Sequence, residues 1–191
     1  MSRTYETITP ELSAWIAEQH LFFVATAPLA ADGLVNCSPK GMDTFRVLGP
    51  HEVAYLDLTG SGIETVAHLR ENGRIVLMFC AFTGPPRVVR LHGTGEVAPM
   101  GAPAFEELRG HFPDYPGARA VIRARIHRIS ESCGFGVARY EYQGDRDTLV
   151  RVCESKGEEE VARFQRKWNT RSVEGMPALD LEGREEGSGL E

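Results

Sequence analysis

The chain has 191 residues, 21 Lys and Arg against 27 Asp and Glu, a formal net charge of −6 at pH 7 and 42% hydrophobic residues. That length suits one domain around a single core. The acidic balance excludes a strongly basic nucleic-acid binder, and no apolar run approaches the roughly 20 residues that span a bilayer. The charge is uneven. Residues 174–191 carry Glu174, Asp180, Glu182, Glu185, Glu186 and Glu191 against Arg184 alone, so most of the acidity sits there. The reading is a near-neutral domain over residues 1–173 and an acidic tail over 174–191. The opening residues lack the basic-then-apolar order of a signal peptide. Cys37, Cys80, Cys133 and Cys153 form no C-x-x-C pair. No metal site is expected from them, and a reduced, cytoplasmic setting is the default.

Thr9-Pro10-Glu11 reads as a helix start, with Thr9 as cap, Pro10 at the first helical position and Glu11 at the positive end of the dipole. The helix should run to His20. A strand follows over 21–26, then the turn-rich segment 28–33 and a returning strand over 34–38. Further strands are predicted over 44–48 and 53–58. Thr59-Gly60-Ser61-Gly62 breaks the last of these, and a helix over 63–71 stops at Asn72-Gly73. Residues 75–82 are apolar without alternation, as in a central strand buried on both faces, and Cys80 there reads as a small buried hydrophobe. Residues 87–97 alternate, with Val89 and Leu91 opposite Val88, Arg90, His92, Thr94 and Glu96. A helix over 103–111 precedes a second alternating strand over 120–129, with Arg123, Arg125 and His127 on a half-exposed face. Residues 147–168 look helical in two pieces broken at Lys156-Gly157, and 182–191 read as disordered. Strands that follow one another through tight turns argue a mainly β, α+β fold: an antiparallel sheet of about six strands closed into a small barrel with flanking helices.

Two segments suggest chemistry. Gly60-Ser61-Gly62, leading from a strand into a helix, offers free backbone N–H groups and the Ser61 hydroxyl to an anion. The competing reading is a capping box between Ser61 and Glu64, which only starts the helix. Asn36-Cys37-Ser38-Pro39-Lys40-Gly41 places a proline on a strand edge or bulge, with Lys40 as a point charge for an anion or simply in solvent. Arg90 and His92 share a strand face and could line a site together. His68 stands alone on its helix and reads as a surface residue. No catalytic group is identifiable, because no Ser/His/Asp set and no paired histidines occur at helical spacing.

Taken in order, Ser38-Pro39-Lys40-Gly41, Tyr55 to Gly62 with Glu64-Thr65 and His68-Leu69, Asn72-Gly73-Arg74, and Arg90-Leu91-His92-Gly93 resemble the pyridoxamine 5′-phosphate oxidase-like family of FMN-binding split barrels. The resemblance covers about residues 10–140. Ser132 to Tyr142, Asp145-Arg146 and Lys156-Gly157 resemble the C-terminal part of one branch. It implies a six-stranded antiparallel split barrel, a homodimer, and FMN at the dimer interface. By this resemblance Ser38, Pro39, Lys40 and Gly41 run beside the flavin. Asp57, Gly60, Ser61 and Gly62 lie near its phosphate, and Arg90 is a further contact. Pyridoxamine phosphate oxidases carry an Arg-Lys pair on this turn; here those positions are roughly Gly62-Ile63, which leaves Lys40 or an arginine of a second subunit to supply the charge. The C-terminal Trp and Arg pattern for pyridoxal phosphate is not evident, so vitamin B6 oxidation is not expected. The functional expectation is an FMN-dependent oxidoreductase that meets a small substrate or an electron donor such as NAD(P)H, without nucleic acid or membrane. The alternative is a non-catalytic carrier of flavin, haem or deazaflavin on the same barrel.

Overall fold

The structure is a computed structural model and describes residues 3–181. Its strands are β1 (Arg3–Tyr5), β2 (Leu21–Thr26), β3 (Asn36–Gly41), β4 (Phe45–Gly49), β5 (Glu52–Leu58), β6 (Arg74–Cys80), β7 (Val88–Pro99) and β8 (Ala118–Ser132). Its helices are α1 (Pro10–Ala17), α2 (Glu64–Asn72), α3 (Pro103–Arg109) and α4 (Thr148–Trp168). The strands form one antiparallel sheet in the order β3-β2-β6-β7-β8-β5-β4, with β1 on β8. The sheet curls into a half-barrel. It is the expected antiparallel split barrel, with eight strands in place of six.

Local signals explain the element ends. The Thr9 side chain accepts the Leu12 N–H at 3.2 Å, with Pro10 as the first helical residue, which caps α1 as expected. Gly73 closes α2 in the left-handed region at φ 70°, its N–H donating to the Leu69 carbonyl. Gly157, at φ 74° and ψ 166°, breaks α4 at the predicted place. The strand expected over 34–38 lies instead at Asn36–Gly41. It pairs with β2 without a register shift, so Pro39 sits in an edge strand and not at a bulge, where its missing N–H costs nothing.

Alternation divides the sheet into two faces. Phe22, Val24, Leu77, Phe79, Val89, Leu91, Ile122 and Ile129 point inward and form one buried cluster with Leu12 and Ile16 of α1 and Val66, Ala67 and Leu69 of α2. On the other face α3 lays Phe105 and Leu108 over Ala54, Leu56, Ala98 and Val121. This second layer explains why Val121 is buried although its neighbours Arg123 and Arg125 are not.

The barrel is split between β3 and β4. The two strands are consecutive in the chain yet lie at opposite ends of the strand order. The gap is bridged by the Leu56 N–H donating to the Thr44 carbonyl at 2.8 Å and by the Thr44 hydroxyl donating to the Gly41 carbonyl at 2.8 Å. After α4 the chain folds back as a strap over residues 170–181, where Ala178, Leu179 and Leu181 are buried in the barrel cluster. The stretch assigned by composition to the acidic tail therefore belongs to the body as far as Leu181, because Ala178, Leu179 and Leu181 reach the core. The expectation of disorder over 182–191 lies outside the described residues.

Candidate functional site

The split in the barrel holds a buried charge cluster. Lys40, on edge strand β3, and Asp57, at the end of β5, meet across the gap with Nζ to Oδ1 at 2.6 Å. The other carboxylate oxygen accepts from Arg119 Nε at 2.7 Å. Burial alone would push the Asp57 carboxyl up; the charges and hydrogen bonds of Lys40 and Arg119 outweigh it and hold the group at about 2. Asp57 and Arg119 are sealed at 1% and 5% exposure, while Lys40 keeps 21%. Two cations against one anion leave the cluster net positive at its open end.

Arg119 is the site residue that sequence reasoning missed. Its signal is a register shift: Asp57 pairs with Ala120 and Leu58 with Ala118, so Arg119 is the extra residue of a bulge in β8. A bulge re-aims a side chain that strict alternation would send to the opposite face. No feature of the local sequence announces it.

The Gly60-Ser61-Gly62 turn is anchored from behind. Arg119 Nη1 and Asn169 Nδ2 donate to the Gly60 carbonyl at 3.2 and 2.8 Å. Thr59 donates through both its N–H and its hydroxyl to the Gly117 carbonyl, and its hydroxyl accepts from Gln165 Nε2 at 2.7 Å. Helix α4 and its C-cap thus support the turn with two buried amides, Gln165 and Asn169. Ser61 and Gly62 face solvent. The capping-box reading does not hold: α2 begins at Glu64, its N-cap is Ile63 without a side-chain cap, and the Glu64 carboxylate instead accepts the Val173 N–H of the strap at 3.2 Å.

Ser38 begins an inward-facing polar chain. Its hydroxyl donates to Asn36 Oδ1 at 3.1 Å, and the Asn36 amide donates to Thr65 at 2.9 Å and Thr26 at 3.4 Å. The Thr26 hydroxyl lies 2.9 Å from His68 Nδ1. His68, expected on the surface, is fully buried. Helix α2 is packed inside the barrel and roofed by the strap, so its buried polar residues Thr65 and His68 find their partners within it.

Arg90 does not join Lys40. The register runs Lys40–Phe22–Phe79–Val89 on the inner face and Pro39–Phe23–Met78–Arg90 on the outer one. Arg90 Nη1 donates to the Ser132 hydroxyl at 3.1 Å. His92 stands two residues on, its pKa held low by burial and by Arg128, Arg90 and His127. Of the candidate residues, Lys40, Asp57 and Gly60 are therefore joined through Arg119, with Ser61 and Gly62 on the adjoining turn. Ser38 lies one inward position from Lys40, and Pro39 and Arg90 share the other face. A larger cavity of about 700 Å³ lies elsewhere, beside Arg3, Tyr5, Trp15, Arg87 and Glu131. There Glu131 takes both the Tyr5 hydroxyl and Arg87.

Fold and site together define a split barrel with a cationic cluster at the split, and known proteins of similar sequence share the barrel. Residues 8–133 match the family model described as pyridoxamine 5′-phosphate oxidase. Across 202 aligned residues the chain is 39% identical to the pyridoxamine 5′-phosphate oxidase family protein ustO of Aspergillus flavus, covering 96% of this chain and 80% of that protein. A crystal structure of a HupZ variant from Group A Streptococcus superposes with a TM-score of 0.51 at 27% identity, covering 65% of this chain and 99% of that one. A Clostridium acetobutylicum protein related to general stress protein 26 shares the fold, with a TM-score of 0.50, 15% identity, and 64% and 86% of the two chains covered. The chain belongs to the pyridoxamine 5′-phosphate oxidase family. Among the described residues no helix is long and apolar enough to cross a membrane.

Proposed function

We propose that the chain binds FMN at a homodimer interface and acts as an FMN-dependent oxidoreductase on a small substrate in the cytoplasm. The observation that carries this reading is the net positive Lys40–Asp57–Arg119 cluster beside an exposed Gly-Ser-Gly turn, in a chain of this family. The donor set fits a phosphate in charge, although the family's Arg-Lys pair is missing, because Asp57 neutralises only one of the two cations.

When bound, FMN supplies the redox chemistry at its ring N5. Lys40 is the member of the cluster that reaches solvent, and its role is to hold the phosphate. Asp57 and Arg119 orient Lys40 and the Gly60 carbonyl. Ser61 offers a hydroxyl and Gly60 an uncrowded backbone, whereas Glu64 Oε2 stands 2.6 Å from where a Cβ on Gly62 would be. Ser38, Pro39 and Gly41 line the strand beside the ring. Arg90, on the outer face, reaches a flavin only if that face meets a second subunit. Phe23, Val76 and Met78 on the same face are half-buried, as suits a surface that pairs with another copy.

The test is the visible spectrum of the purified protein and a titration with FMN. A yellow protein, or one that takes up FMN and loses about tenfold in affinity on Lys40→Ala, supports the reading; one lost charge-assisted hydrogen bond is worth about that factor. A colourless protein that ignores added FMN refutes it. Reduction of the bound flavin by NADH or NADPH with turnover separates the enzyme from a carrier. Within the cluster every described titratable side chain already has a partner, which favours the carrier as second reading.

A further inference from the structure

The Ser38 chain ends on an unsatisfied atom. Asn36 donates to the Thr26 hydroxyl, which can still give its proton to His68 Nδ1, and the Glu174 carboxylate on the far side of the ring favours that tautomer, with the ring proton toward it. The ring proton then sits on Nε2, which is buried and has no hydrogen-bond partner. Facing it at 3.9 Å is Glu174 Oε2 on the strap, too long for a hydrogen bond. Glu174 is itself held, its Oε1 accepting the Leu34 N–H at 3.0 Å on the loop that leads into β3. One histidine thus stands between the strap, which faces Nε2, and Thr26 of β2, which faces Nδ1 and reaches Ser38 of β3 through Asn36.

We propose that His68 is a positioning residue: through Thr26 and Asn36 it fixes the Ser38 hydroxyl on β3, and through the charge–dipole contact of its Nε2 side with the Glu174 carboxylate at 3.9 Å it steadies the strap over residues 170–181, so that the two elements are set together. This rests on the flavin reading only for its consequence, that cofactor affinity depends on His68 and Glu174 although neither touches the cofactor. The charged groups facing the ring are Glu174 from the strap and Glu64 and Glu71 from its own helix; β2 contributes Thr26. Burial keeps the ring neutral against the pull of those three carboxylates, with its pKa below the ordinary value. A neutral ring has one acceptor and one donor, as a positioning link between a hydroxyl and a carboxylate requires.

The experiment compares the full chain with His68→Leu, His68→Gln and Glu174→Ala. Amide exchange at Leu34 and Val173 and the side-chain amide signal of Asn36 are read by NMR without ligand, and FMN affinity is read by fluorescence quenching. His68→Leu should loosen the strap and the Asn36 amide together and weaken FMN about tenfold, as the loss of one net hydrogen bond does. His68→Gln, which keeps an acceptor and a donor, should restore both, and Ser38→Ala added to His68→Leu should cost little more. Additive losses, or a strap and an Asn36 signal unchanged in His68→Leu, overturn the proposal. If His68→Leu does not fold, Glu174→Ala decides: loosening that reaches Asn36 supports the link, and loosening confined to the strap and Leu34 overturns it. If the parent chain binds no flavin, the flavin reading fails by itself, and the ligand-free signals still decide the role of His68.

Discussion

Asp57 is where single-residue effects concentrate. Its carboxylate is the only anion described in contact with Lys40 and Arg119. Asp57→Ala leaves two cations facing each other, one of them buried, and should cost about 3–5 kcal/mol in denaturant unfolding, the usual penalty for breaking a buried pair from one side. The pH dependence has a definite sign. The folded group sits at about 2 against 3.8 for the free one, so the unfolded chain binds its proton first. The contribution is complete above about pH 4 and is lost as pH falls through about 2, roughly 2 kcal/mol in all. Unfolding midpoints between pH 5 and pH 2 should fall more steeply in the parent chain than in Asp57→Asn. Residue types pointed to Lys40, and the family resemblance added Asp57 and Ser38. Both readings missed Arg119, and His68 was expected on the surface, because a bulge and a roof of distant chain decided where those side chains point.

At the level of elements, the turn after β5 depends on pieces far away in sequence. Gly117, at φ +80°, receives both Thr59 hydrogen bonds, and a Cβ there would stand 2.6 Å from Cys153 Sγ on α4. Gly117→Ala should therefore destabilise by about 1–3 kcal/mol, the cost of overpacking, and Cys153→Ala should recover part of it but not the left-handed strain. Thermal melts of the two single variants and the double variant check this. The strap behaves as core: Leu179 is 4% exposed, so Leu179→Ala should cost about 2–5 kcal/mol. A loss under about 0.5 kcal/mol would mean that the strap does not pack on the barrel in solution. Helix and strand order were legible from caps, turns and alternation. The shift of β3 to Asn36–Gly41 was not, since Leu34-Val35 carries the stronger strand signal and only pairing with Leu21–Thr26 fixes the register.

For the whole molecule, the outer face of β2, β3 and β6 is the surface on which assembly is tested. It presents Phe23, Val76 and Met78 with no described helix over them, since α2 packs on β2 and β6 from inside. If this face joins two copies, Met78→Glu should yield a monomer by sedimentation while the melting temperature of the subunit changes little. FMN affinity should fall with it, because Arg90 would no longer be presented from across the interface. A dimer that survives Met78→Glu places the interface elsewhere.

The sequence by itself determined the antiparallel class, most element boundaries and the family, since these follow from local periodicity, turn chemistry and an ordered set of short motifs. It also located the acidity, although part of the acidic stretch proved to be strap: Glu174 serves Leu34 and faces His68. Only the tertiary structure decided which side chains of those motifs meet. Lys40 and Asp57 come together because the sheet curls until its split edge nears β5, while Lys40 and Arg90 part because strand pairing sends them to opposite faces. Curl, bulge and register depend on all the strands at once, and no short window of sequence contains them.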